Sequence, residues 1–176
     1  MHVLDIAQNS VKAGATLVEI RFSISVDQWL TLTIRDNGCG MSPELLAKAK
    51  DPFTTTRTTR KVGLGIPLLL ENAERTGGDV VIESEPGAGT LLTAAFDLRN
   101  IDCPPMGSMA DTLLSLVVLN PETPDFVFEA CAPHQEASFD TRMIRSALGD
   151  VPLNVPDVVA WMRDAINEEF NPILEV

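Results

Sequence analysis

The chain has 176 residues and a net charge of −12, from 13 Lys+Arg against 25 Asp+Glu. That length makes one ordinary domain, or a domain with a substantial extension. The charge is uneven: residues 1–100 hold 10 basic and 12 acidic side chains, residues 101–176 hold 3 and 13. So acidic a second half argues against nucleic acid or an anionic membrane as partner. It suits a basic protein partner or a plain solubilising surface.

Cys39, Cys103 and Cys131 are widely spaced and form no CxxC pair. An odd count of this kind points to reduced thiols in the cytoplasm rather than to a disulfide framework or a zinc site. Met1-His2-Val3-Leu4-Asp5 has an acid where a signal peptide would have its basic and apolar regions. The longest apolar run, Leu113–Leu119, is broken by Ser115 and is too short to span a membrane.

Residues 2–13 read as a helix with Leu4, Ala7 and Val11 as its core face. Asp5, Asn9 and Lys12 share a neighbouring face. Val18, Ile20, Phe22, Ile24 and Val26 alternate with polar residues, which makes a half-buried strand. Leu30, Leu32 and Ile34 give it an antiparallel partner, ended by the turn sequence Asp36-Asn37-Gly38. Ser42-Pro43-Glu44 starts a short helix to about residue 50. Residues 51–62 are polar and aperiodic, a loop. A second main helix opens at Gly65-Ile66-Pro67, turns Leu69, Leu70 and Ala73 inward and closes at Thr76-Gly77-Gly78. Val80–Ile82 and Leu91–Leu98 are then strands joined through Pro86-Gly87-Ala88-Gly89.

Past Asn100 the pattern changes, with Cys103-Pro104-Pro105 as a linker. Gly107–Leu116 reads as a helix. Leu116–Leu119, Phe126–Cys131 and Ala137–Phe139 read as a small antiparallel set. Asp140 or Thr141 caps a helix to about Leu148, and Val155-Pro156-Asp157 opens another to about Phe170.

Four short boxes stand out: Asp5-x-x-x-Asn9, Asp36-Asn37-Gly38-Cys39-Gly40, Gly63-Leu64-Gly65 and Gly87-Ala88-Gly89-Thr90. Singly each has a plain alternative, such as an exposed helix acid or a tight turn. In this order and spacing they resemble the N, G1, G2 and G3 boxes of the GHKL superfamily, which includes gyrase B, heat-shock chaperone ATPases, MutL and histidine kinases. The resemblance covers about residues 1–98. The domains expected are a histidine-kinase-like ATP-binding domain over 1–100 and an acidic α+β extension over 101–176. The fold it implies is α/β (α+β): a two-layer sandwich with helices on one face of a mixed, mostly antiparallel sheet, the Bergerat fold. A first strand or leading residues present in relatives could be missing before residue 1.

The resemblance also implies ATP and Mg²⁺ as ligands. Asn9 is expected to hold the metal through its neutral amide oxygen, a hard ligand of the kind Mg²⁺ takes alongside water and phosphate oxygens. Asp5, one turn earlier, corresponds to the Glu that activates water in hydrolysing members, one methylene shorter. Lys12 fits the Asn-x-x-Lys pattern in which Lys reaches phosphate. Asp36 is expected to accept from the adenine amino group, with Gly38 and Gly40 admitting the ring closely and Met41 beside it. By the same resemblance Thr90 is expected to help hold the adenine, usually through water and the Asp.

Asp51-Pro52-Phe53-Thr54-Thr55-Thr56-Arg57 looks like the F box that leads the ATP lid in histidine kinases, so Phe53 is expected to lead a lid over about Thr54–Val62. Thr56, Arg57, Arg60 and Lys61 of that lid, with Gly63, Leu64 and Gly65 before the helix N-terminus, would meet the phosphates. Five of the 13 basic residues fall within residues 48–61. The functions implied are a nucleotide-gated switch with slow ATP hydrolysis, a kinase acting on a separate protein, or an ATP sensor that holds a protein partner. A homodimer stays open among the partners.

Overall fold

The structure, a computed structural model, describes residues 2–50 and 64–174. Six helices and six strands are formed along these segments. They are α1 (Val3–Lys12), β1 (Leu17–Ile24), β2 (Trp29–Asp36), α2 (Pro43–Lys50), α3 (Gly65–Arg75), β3 (Val80–Glu85), β4 (Gly89–Asp97), α4 (Met109–Leu119), β5 (Asp125–Ala132), β6 (Gln135–Asp140), α5 (Thr141–Leu148) and α6 (Pro156–Leu174). The strands form one mixed sheet in the order β3-β4-β2-β1-β5-β6. Every neighbouring pair is antiparallel except β1 with β5, which run parallel.

Alternation decides the two faces. Val18, Ile20, Phe22 and Ile24 of β1 are buried, as are Leu30, Leu32 and Ile34 of β2. The parallel register sets Val18 beside Phe126 and Ile20 beside Phe128, which continues the apolar face across β5. Phe128 stacks on Phe139 of β6 with ring centroids 5.9 Å apart. The helices cover this face. The opposite face is polar, with Glu19 beside Arg35 and Arg21 beside Glu129, each pair 3.9 Å apart. Half-exposed pairs of this kind contribute little to stability; they keep the uncovered face wettable. The expected two-layer α+β sandwich is what forms.

Four local expectations change. The core stripe of α1 is Val3, Ile6, Ala7 and Ser10, while Leu4 and Val11 are half-buried at its margins. α1 packs against α3 and α4 as well as the sheet, and this rotates the stripe by about one position. Leu116–Leu119 is the last turn of α4, not a strand: Leu113, Leu114, Leu116 and Val117 follow the helical period, and Ser108 caps the start by accepting from the Asp111 amide at 3.2 Å. The β-branched Val117-Val118 run imitated a strand. β5 and β6 do pair antiparallel, but they continue the main sheet through β1. α6 runs to Leu174, four residues past the expected end, because Ile173 and Leu174 are buried.

One sheet and one contiguous core predict one unfolding event. Trp29 reports on β2 and Trp161 on α6. Single-tryptophan variants (Trp29→Phe and Trp161→Phe) should unfold in denaturant at the same midpoint as the far-ultraviolet circular dichroism. Two separated midpoints would show that residues beyond 100 fold apart from the rest.

Candidate functional site

Asp36 ends β2, a strand whose inward positions are otherwise apolar, and it is 8 % exposed. Its carboxylate is held from two sides. The Ser10 hydroxyl donates to Oδ2 at 2.7 Å, and the Gly38 amide donates to Oδ1 at 2.9 Å. Asn37 points the other way. Its Oδ1 accepts from the Thr16 and Leu17 amides at 2.8 and 3.0 Å, and its Nδ2 donates to the Thr16 hydroxyl. The Cys39 amide donates to the Ala13 carbonyl at the end of α1. The turn after β2 is thus tied to α1 and to the start of β1, and the carboxylate is fixed in place.

The β3–β4 hairpin closes on this turn from the far side. Gly87 N–H donates to the Cys39 carbonyl at 2.7 Å, and Met41 N–H donates to Ser84 Oγ at 2.8 Å. Two glycines make the approach feasible. A Cβ on Gly40 would lie 1.9 Å from the Glu85 carbonyl oxygen, and one on Gly89 2.0 Å from the Asp36 carbonyl oxygen. Both also have positive φ, +65° and +91°.

A cavity of about 230 Å³ opens between α1, α2, α3 and the inner face of the sheet. Ile34, Ile82 and Leu92 line it from the strands, Ile6 and Ile66 from the helices. Asp36, Ser10 and Thr90 supply polar groups to a mostly apolar wall, with Asn9 and Lys12 also on the lining. The Asn9 side chain makes no hydrogen bond within the described residues, so its amide is available to a ligand. A mostly apolar cavity with a buried carboxylate suits a ligand that brings apolar surface and a hydrogen-bond donor.

Of the residues singled out in the sequence, Asn9, Lys12, Asp36, Gly40, Met41 and Thr90 meet on this cavity. Gly38 stands behind Asp36 as the amide donor. Gly65 opens α3 against α1, where a Cβ would meet the Asp5 Cβ at 3.1 Å. Leu64, the residue before it, is 59 % exposed. Asp5 does not line the cavity. Its side chain is 66 % exposed and pairs with His2 Nδ1 at 3.6 Å. Phe53, Thr56, Arg57, Arg60, Lys61 and Gly63 lie outside the described residues, as does the lid segment.

Two functional side chains escaped the sequence reading. Ser10 occupies a core position of α1, and Ser84 follows Val80 and Ile82 on the inward side of β3. A hydroxyl at an inward position of an apolar pattern was the available signal. Ser84 Oγ also lies 3.0 Å from the Gly89 carbonyl and 2.9 Å from Thr90 Oγ1.

The sequence profile of the histidine kinase-, DNA gyrase B- and HSP90-like ATPases matches residues 2–100. The signal transduction histidine-protein kinase AtoS of Escherichia coli is 33 % identical over 99 residues, covering 55 % of this chain and 16 % of the kinase. An NtrY-like sensor histidine kinase of Rickettsia conorii is 28 % identical over 103 residues, 58 % of this chain and 17 % of that protein. The chain thus spans about a sixth of the length of these curated relatives. Among solved structures, the N-terminal domain of a DNA repair protein superposes with a TM-score of 0.51 at 15 % identity, over 79 % of this chain and 50 % of that one. This likeness is one of fold alone. Its coverage reaches past residue 100.

The close approach of the two turns predicts that Gly40→Ala destabilises the chain by more than about 1 kcal/mol, since both the contact and the positive φ resist a side chain. Ser10→Ala removes one of two donors to a buried carboxylate and should cost about 1–3 kcal/mol. Chemical denaturation measures both, and unchanged midpoints would contradict the geometry.

Proposed function

Since this chain belongs to the family of histidine kinase-, DNA gyrase B- and HSP90-like ATPases, we propose that its cavity takes Mg-ATP and that nucleotide occupancy works as a switch with slow hydrolysis. One observation carries the reading: a buried, doubly anchored carboxylate on an otherwise apolar slot. Asp36 would accept from the exocyclic amine of adenine, and Ile34, Ile82 and Leu92 would pack on the ring. Guanine carries a carbonyl at that position and would meet acceptor with acceptor.

Asn9 suits Mg²⁺ by its chemistry, a neutral oxygen donor with no competing side-chain partner among the described residues. Among the described residues no three His, Cys, Asp or Glu side chains gather to form a protein metal cage. An ion held mainly by phosphate oxygens and water, with a single protein ligand, is the ordinary Mg²⁺ arrangement. When bound, Mg²⁺ supplies charge neutralisation to the phosphates. Lys12 and the free amides at the start of α3 would meet the phosphate oxygens.

Hydrolysis is proposed as slow because of Asp5. Its exposure and its pairing with His2 leave the carboxylate outside the slot, close to the start of α3. A base in that place would act through water at the outer end of the nucleotide. A second reading is phosphotransfer to a separate protein, favoured by the sensor kinases among the relatives. The partner in either case is a protein, and the acidic surface of residues 101–174 suits a basic one. Asp157, Asp164 and Glu168 are exposed along α6 and form no ion pair among the described residues. No helix among the described residues is long and apolar enough to cross a membrane.

Calorimetric titration tests the binding reading. Asp36→Asn should weaken ATP by roughly tenfold or more, the worth of a charge-assisted hydrogen bond. Asn9→Ala should abolish the Mg²⁺ dependence of binding. Unchanged affinity in Asp36→Asn would remove the adenine assignment.

Following the γ-phosphate separates switch from kinase. With labelled ATP the wild type should release free phosphate, and Asp5→Asn should keep ATP affinity while losing about 10²–10⁴-fold in turnover. Label on a mixed-in protein would establish the kinase reading instead. Equal turnover in Asp5→Asn would exclude Asp5 as base.

A further inference from the structure

The hydrogen-bond count around Ser84 fixes the direction of a proton at the cavity wall. A hydroxyl has one proton and two lone pairs. Ser84 Oγ accepts the Met41 amide at 2.8 Å and lies 3.0 Å from the Gly89 carbonyl oxygen, which can only accept. Its single proton therefore goes to Gly89. The remaining contact, 2.9 Å to Thr90 Oγ1, must then use the proton of Thr90. Thr90 lines the cavity and keeps only lone pairs to turn towards it. Ser10 is spent in the same way, its proton on the Asp36 carboxylate at 2.7 Å. Asp36, Ser10 and Thr90 together form a wall that accepts and does not donate.

We propose that Ser84 is a positioning residue for base selection: by taking the Thr90 proton it holds the Thr90 hydroxyl as an acceptor, so that the cavity favours a purine with a donating 6-amino group over one with a 6-oxo group. This rests on the nucleotide reading above and adds a second determinant to Asp36. Without Ser84 the Thr90 hydroxyl rotates freely and can offer its proton to a 6-oxo base.

The test compares ATP with inosine triphosphate, which differs at the base by the 6-oxo group and its N1 proton. Calorimetric titration of the full chain gives the ratio of the two dissociation constants. In the wild type ATP should bind at least about tenfold more tightly. Ser84→Ala should narrow the ratio by about tenfold, whereas a merely structural role would weaken both nucleotides alike. Ser84→Thr, which keeps the hydroxyl, should restore the wild-type ratio. Should Ser84→Ala fail to fold, Ser84→Thr and Thr90→Val decide: the proposal requires the wild-type ratio in the first and a narrowed ratio in the second, and any other pair of results overturns it. A wild-type ratio in a folded Ser84→Ala overturns the role of Ser84 alone. A wild type that binds neither nucleotide overturns the nucleotide reading and this inference with it.

Discussion

Burying the Asp36 carboxylate is the constraint around which the site is arranged. A charge taken out of water costs several kcal/mol unless donors replace the lost hydration. Two donors do so here, the Ser10 hydroxyl from α1 and the Gly38 amide from the turn after β2. The first needs the turn pressed onto α1, and the Cys39 amide bond to the Ala13 carbonyl holds it there; the second is local to the turn. Lone pairs not used by these donors remain for a ligand. A buried acceptor in an apolar slot is a poor stabilising device and a good recognition device.

The second requirement is that two glycine turns touch. Gly40 and Gly89 bring the ends of β2 and β4 within backbone contact of the opposing chain, and Ser84 links them through Met41 and Thr90. Apolar strand residues then wall a slot that ends on polar groups. The sheet continues beyond this site through the parallel β1–β5 pair, and α4 and α6 pack on the same face as α1. Movement of α1 on ligand binding would therefore be felt at α4 and, through it, at the acidic surface of α6. This is the physical route by which an occupied slot could alter a protein partner's contact, and it passes through packed side chains rather than a mobile linker.

The strands and helices of the first hundred residues were legible because their periodicity is clean. Val18–Ile24 alternates strictly, and Ser42-Pro43 announces α2. The Asp36 turn reads as a candidate binding element only together with the other boxes. Ser10 and Ser84 were not, because a serine on an inward position gives no sign of which distant group it faces. The parallel pairing of β5 with β1 was also hidden. It joins residues over a hundred positions apart, and nothing local in Phe126–Cys131 names a partner strand. Leu116–Leu119 misled because a short β-branched apolar run fits a buried helix as well as a strand.

The most direct measurement is an amide-resolved nuclear magnetic resonance titration of the full chain with a non-hydrolysable ATP analogue and Mg²⁺. A nucleotide held on Asp36, Thr90 and Asn9 predicts saturable shifts at the amides of residues 9–13, 36–41, 65–66 and 84–90, with the outer strands β5 and β6 far less affected. Shifts absent at saturating nucleotide, or concentrated on β5, β6 and α6, would contradict it.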